Sequence, residues 1–130
     1  MKTTITPQQA LEEIRRGHLG QLKGLDEHGF TFVFDDANEV LLLTYYIDRE
    51  TIPMAVIEEN ETEIREHADH AKGAMLQLIC GKNYKLSMDD MPVVNMVETL
   101  FPEHTAFSWD VDYSETMDYK LRIDLYIVTK

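Results

Sequence analysis

A chain of 130 residues, 44% hydrophobic and 28% charged, is long enough for one self-sufficient core and too apolar to stay disordered. Its formal charge of -12 sets few basic residues, none in a stripe, against many acidic ones, which excludes nucleic acid and disfavours anionic membrane surfaces. A basic protein or a cation is the companion that this balance favours.

In chain order, Thr6-Pro7-Gln8-Gln9 opens a helix: Thr6 caps, Pro7 takes the first helical position, and Gln9 reaches back in a capping box. Ala10, Leu11 and Ile14 share its apolar face, and Gly17 or Gly20 ends it. Gly24 and Asp26-Glu27-His28-Gly29 punctuate the next stretch as turns. Thr31–Phe34, a turn over Asp35–Asn38, and Glu39–Ile47 then read as a hairpin. A buried helix over Glu39–Ile47, capped by Asp36 or Asn38, is the competing reading, because periodicity does not separate the two in a short apolar run. Thr51–Ile57 reads as a short strand with Pro53 near its start. Asn60 or Thr62 caps a polar helix over Glu61–His70, with Ile64, Ala68 and Ala71 as a thin apolar stripe.

The second half reads more clearly. Ala74–Gly81 is an apolar strand that holds Cys80, a core thiol and the one cysteine, so a disulfide framework is excluded. Ser87 caps a helix running to Phe101, with Asp90 at its positive end, Pro92 tolerated within its first turns, and Val93, Val94, Met96, Val97, Leu100 and Phe101 on the buried side. Phe107, Trp109 and Val111 alternate with Ser108, Asp110 and Asp112 in the next strand, and Phe107 and Trp109 read as core residues rather than a ligand platform. Leu121, Ile123, Leu125 and Ile127 alternate with Arg122, Asp124 and Tyr126 in the last. Ser114-Glu115-Thr116 makes these two strands an antiparallel hairpin, one face covered and one wetter. The expected class is α+β: a two-layer fold with a mixed sheet of four to six strands and two or three helices packed on it. It forms one domain over 1–130, with 1–50 as a helix-plus-hairpin extension and 51–130 as the core. No apolar run approaches the ~20 residues of a membrane span, and MKTTITPQQA lacks a leader's apolar segment, so the cytoplasm is the expected location.

Chemistry-bearing residues are sparse. His67 and His70 stand three apart beside Glu63, Glu66 and Asp69, an alternative metal pair, but the helix reads first as a solvated face. Cys80 has no base beside it in sequence, and no serine elbow or phosphate loop occurs. Glu58-Glu59 and Asp89-Asp90 are adjacent residues that point apart, unlike an acid/base pair. No catalytic residue and no cofactor is assigned. Tyr45 and Tyr46 are candidate partner-binding residues, since tyrosine favours interfaces.

Four blocks carry a family likeness. Ala71–Gly81 resembles the glycine-flanked strand of the C-terminal domain of FtsZ, the bacterial tubulin homologue, and Leu86-Ser87-Met88-Asp89-Asp90 is similar to that domain's acidic helix start. Leu121–Thr129 resembles its closing strand, and Pro53–His70 the strand and helix before. The likeness covers about 53–130 and implies a C-terminal domain without the glycine-rich GTP-binding half, so GTP binding is not expected. Val33-Phe34-Asp35-Asp36 is similar to the loop that brings acids to a neighbouring subunit's nucleotide; by that likeness Asp35 and Asp36 become partner-binding candidates, and turn-forming aspartates otherwise.

The expected function is a non-enzymatic protein-interaction module, binding another protein or itself, as a regulator or partner of a tubulin/FtsZ-like filament in cell division. The alternative is a small-molecule or enzymatic site at the intersubunit clefts of an oligomer of chorismate-mutase-like architecture, where Lys120 and Arg122 meet an anion.

Overall fold

The computed structural model describes residues 2–10, 12, 39–48, 52–81, 88, 91–113 and 121–128. Strands β1 (Lys2–Ile5), β2 (Val40–Ile47), β3 (Gly73–Cys80), β4 (Ala106–Tyr113) and β5 (Leu121–Val128) form one mixed sheet in the order β1-β2-β5-β3-β4. Helices α1 (Pro53–Glu59), α2 (Glu61–Ala68) and α3 (Pro92–Thr99) accompany it, and a helical turn opens at Pro7. The α+β architecture is the expected one.

Strands β3 and β4 run parallel, from Gly73↔Ala106 to Cys80↔Tyr113. Parallel neighbours need a crossover, and the connection carrying α3 supplies it. β5 is antiparallel to both β2 and β3. The expected hairpin between the last two strands is therefore incorrect: β3 lies between β4 and β5. The reason lies in β5 itself, where Leu121, Ile123, Leu125 and Ile127 are buried on one face and Tyr126 and Val128 on the other. Two apolar faces suit an interior strand. Ser114–Thr116 lies outside the described residues.

Val40–Ile47 is a strand, which settles the open choice against a helix. Its neighbours differ from the expected hairpin: β5 pairs with its whole length and β1 with Val40–Leu43. Thr31–Phe34 and Asp35–Asn38 lie outside the described residues. The capping box is present, with the Thr6 amide donating to Gln9 Oε1 at 2.9 Å and the Gln9 amide to Thr6 Oγ1 at 3.1 Å. It starts the helix directly after β1, a strand too short and polar to stand out in sequence.

Three further expectations are corrected. Thr51–Ile57 is not a strand, since α1 begins at Pro53, where proline's fixed φ suits the first helical turn, and it buries Pro53 and Ile57 one turn apart. Asn60 does not cap α2 through its side chain; its amide donates back to the Val56 carbonyl at 2.8 Å and closes α1. α3 likewise begins at Pro92 rather than Ser87, because a proline without an N–H fits position N1 better than a second turn. Ser87 itself lies outside the described residues.

The core sits between the helices and one face of the sheet. Leu43, Tyr45 and Ile47 from β2, Leu76 and Leu78 from β3, and Ile123 and Leu125 from β5 meet Ile57, Ile64, Val93 and Val97 from the helices. Ile64, Ala68 and Ala71 are buried as their spacing predicts. On the other face a smaller cluster joins Ala10 to Val40, Met75, Tyr126 and Val128. No helix among the described residues is long and apolar enough to cross a membrane.

Candidate functional site

Two surfaces depart from what strand alternation alone produces. The first is a polar row across the sheet face opposite the helices. The register aligns Thr44 with Asp124, Asp124 with Gln77, and Gln77 with Asp110, one residue from each of four strands. The next row aligns Tyr46, Arg122, Ile79 and Asp112. Thr44, Gln77, Asp110, Asp112 and Asp124 are all buried. Thr44 Oγ1 donates to Asp124 Oδ1 at 3.0 Å, and Arg122 pairs with Asp124 Oδ2 at 3.2 Å. Gln77 Nε2 and Arg122 Nε have no hydrogen-bond partner among the described residues. A buried carboxylate needs such company, because desolvation is costly for a lone charge. The Thr44–Asp124 bond ties β2 to β5 across this face.

The second surface is the outer flank of β4. Here the expected inside and outside are exchanged. Asp110 and Asp112 are 5% and 2% exposed, whereas Trp109 and Tyr113 are 42% and 45% exposed. Phe107 and Val111 are half-buried between them, and Phe107 meets Phe101 with ring centroids 5.9 Å apart. The expectation that Trp109 is a core residue is therefore incorrect. β4 ends the sheet, so no further described strand shelters that side of it. Beside it the last turn of α3 and the following loop form a groove of about 540 Å³, lined in part by Glu98, Phe101, Pro102, Glu103 and Phe107.

The candidates read from sequence fall elsewhere. Tyr45 is buried against α2, where its hydroxyl donates to Glu63 Oε1 at 2.9 Å, so its ring is not presented to a partner. Burial, followed by the bond to Glu63 and that carboxylate's charge, raises the Tyr45 pKa above its ordinary 10.0. Tyr46 points to the opposite face and is exposed. Asp35, Asp36 and Lys120 lie outside the described residues. His67 is half-buried and His70 exposed, and among the described residues no group of three or more His, Cys, Asp or Glu converges to hold a metal. Cys80 is buried, as its apolar run predicts. The polar row was missed because its members look unremarkable singly. Each of four strands carries one hydrogen-bonding residue at a matching place, but only the strand order brings them into line.

No family model matches the chain, and no curated protein matches it in sequence. Among solved structures it is similar to an empty FtsZ dimer from M. jannaschii, with a TM-score of 0.62, 17% identity and coverage of 82% of this chain and 32% of that one. CetZ from Methanosaeta thermophila strain DSM 6194 is similar with a TM-score of 0.53 and 16% identity, over 94% of this chain and 36% of that one. The fold is FtsZ-like. The chain spans about a third of the length of either protein. The FtsZ-like region takes in residues before 53 as well, since 82% of the chain is more than 53–130 supplies.

Proposed function

We propose that this chain is a non-enzymatic protein-interaction module that acts on a tubulin- or FtsZ-like filament. The observation that carries the reading is an FtsZ-like fold at about a third of the length of FtsZ or CetZ, with an aromatic edge strand left uncovered. A domain with the backbone framework of a filament subunit is a candidate to meet the filament's own components. Likeness of fold supplies the partner class here, and the exposed Trp109 and Tyr113 supply a contact surface, since aromatic residues are enriched where interfaces desolvate. The formal charge of -12 favours a partner surface that is basic.

Co-sedimentation with a polymerising FtsZ or CetZ from the same cell tests the reading. The expected result is that the chain pellets with the polymer or changes the extent of assembly. A chain that stays in the supernatant and leaves assembly unchanged contradicts it.

A further inference from the structure

We propose that the outer edge of β4 accepts an extended, basic segment of a partner protein as an added strand. This deepens the interaction-module reading and rests on it.

The backbone sets the geometry. The Ala106 amide donates to the Lys72 carbonyl at 3.0 Å, so at Ala106 the peptide groups face β3. Because successive residues in a strand alternate direction, Ser108, Asp110 and Asp112 face β3 as well, and Phe107, Trp109 and Val111 turn their amides and carbonyls outward. At the far end the Tyr113 amide donates to Asp112 Oδ1 at 2.8 Å, which closes the edge there. What remains is a ladder long enough for a short strand to pair with. Natural edges are blunted with proline, lysine or exposed charge; Ala106–Tyr113 contains no proline or lysine, and its charged residues, Asp110 and Asp112, are buried on one face.

Side chains then select the occupant. Phe107, Trp109, Val111 and Tyr113 form an apolar stripe along the strand, and Phe107 leads into the groove beside α3. The charged residues lining that groove are Glu98 and Glu103. On the opposite face of β4, Asp110 and Asp112 are buried and already have partners, so the acidic groups open to an added strand are those of the groove. Like charges directly opposite each other destabilise strand pairing. A second copy of this chain would bring -12 against -12, whereas a lysine- or arginine-bearing strand meets complementary charge at Glu98 and Glu103. The occupant is therefore a basic segment rather than a copy of this protein.

Trp109 is the sole tryptophan, so its fluorescence reports this edge without a label. The test selects binders to the full chain from a displayed library of random octapeptides, matching the eight residues of β4. The selected peptides are expected to combine apolar and basic residues, shift Trp109 emission to the blue, and slow amide exchange at Phe107, Trp109 and Val111. The Val111→Pro substitution removes only an outward N–H, a place where edge strands tolerate proline, and is expected to weaken binding roughly tenfold or more. The exchange footprint on the unaltered chain needs no variant and decides the matter if Val111→Pro fails to fold. Selection that yields no binder, or only acidic ones, overturns the proposal. So do binders whose footprint avoids β4; in that case the filament-binding reading stands or falls separately, by co-sedimentation.

Discussion

β5 lies between β2 and β3 and buries aliphatic or aromatic side chains on both of its faces, whereas β4 ends the sheet and buries Asp110 and Asp112 more completely than Trp109. Both strands alternate polar and apolar residues in sequence, so polarity alone does not explain the difference. Position in the sheet does. An interior strand is covered by neighbours on both edges and by packed layers on both faces, and even its polar members must be satisfied internally. An edge strand keeps one flank open, and its side chains are buried only where a layer reaches over them. The interior strand thus holds the fold together, and the edge strand is the part left available for contact.

The comparison can be broken from the interior first. Ile123→Ala removes a fully buried side chain from the centre of the core and is expected to cost about 2–5 kcal/mol, read from chemical denaturation. A loss as small as that of a surface mutation would mean β5 is not interior. Thr44→Val keeps the shape but removes the hydroxyl that donates to Asp124, at an expected cost of about 1.5–3 kcal/mol because the acceptor is charged and buried. An unchanged unfolding midpoint would show that the polar row does not bind β2 to β5.

Tyr45→Phe comes next, with an expected loss of about 1 kcal/mol for its hydrogen bond to Glu63. Its pH dependence has a definite sign. The folded pKa of Tyr45 is raised, so its contribution is present in full below 10.0 and is lost as the pH rises from there through the folded value. The unaltered protein should therefore lose stability above pH 10.0 more steeply than Tyr45→Phe, as followed by circular dichroism. Parallel curves would contradict the placement of that hydroxyl. Trp109→Ser should have the smallest effect on stability, under about 1 kcal/mol, since Trp109 is 42% exposed at the edge of the sheet. A large loss would mean that β4 is covered in solution.

Much of this was legible in the residues. Gly73–Cys80 and Leu121–Val128 read as strands from their apolar runs, whereas Val40–Ile47 left strand and buried helix open until its pairing with β5 was known. Ile64 and Ala68 on α2, and Val93, Val94 and Val97 on α3, follow helical spacing onto the core. What could not be read was pairing. The short separation of β4 and β5 suggested a hairpin, but the parallel crossover through α3 binds β4 to the other side of β3. That one fact displaced the expectation for Trp109 and hid the alignment of Thr44, Asp124, Gln77 and Asp110, which exists only once the strand order is known. Pro53 and Pro92 misled in the same way. Each was read as a feature inside or before an element, when its missing N–H makes it the first residue of a helix.

Residue-resolved amide hydrogen exchange on the unbound chain probes the contrast between β5 and β4 most directly. Protection should be continuous along Leu121–Val128 and alternating along β4, slow at Ser108, Asp110 and Asp112 and fast at Phe107, Trp109 and Val111. Uniform protection along β4, or faster exchange in β5 than in β4, would contradict the assignment of one as the closed interior and the other as the open edge.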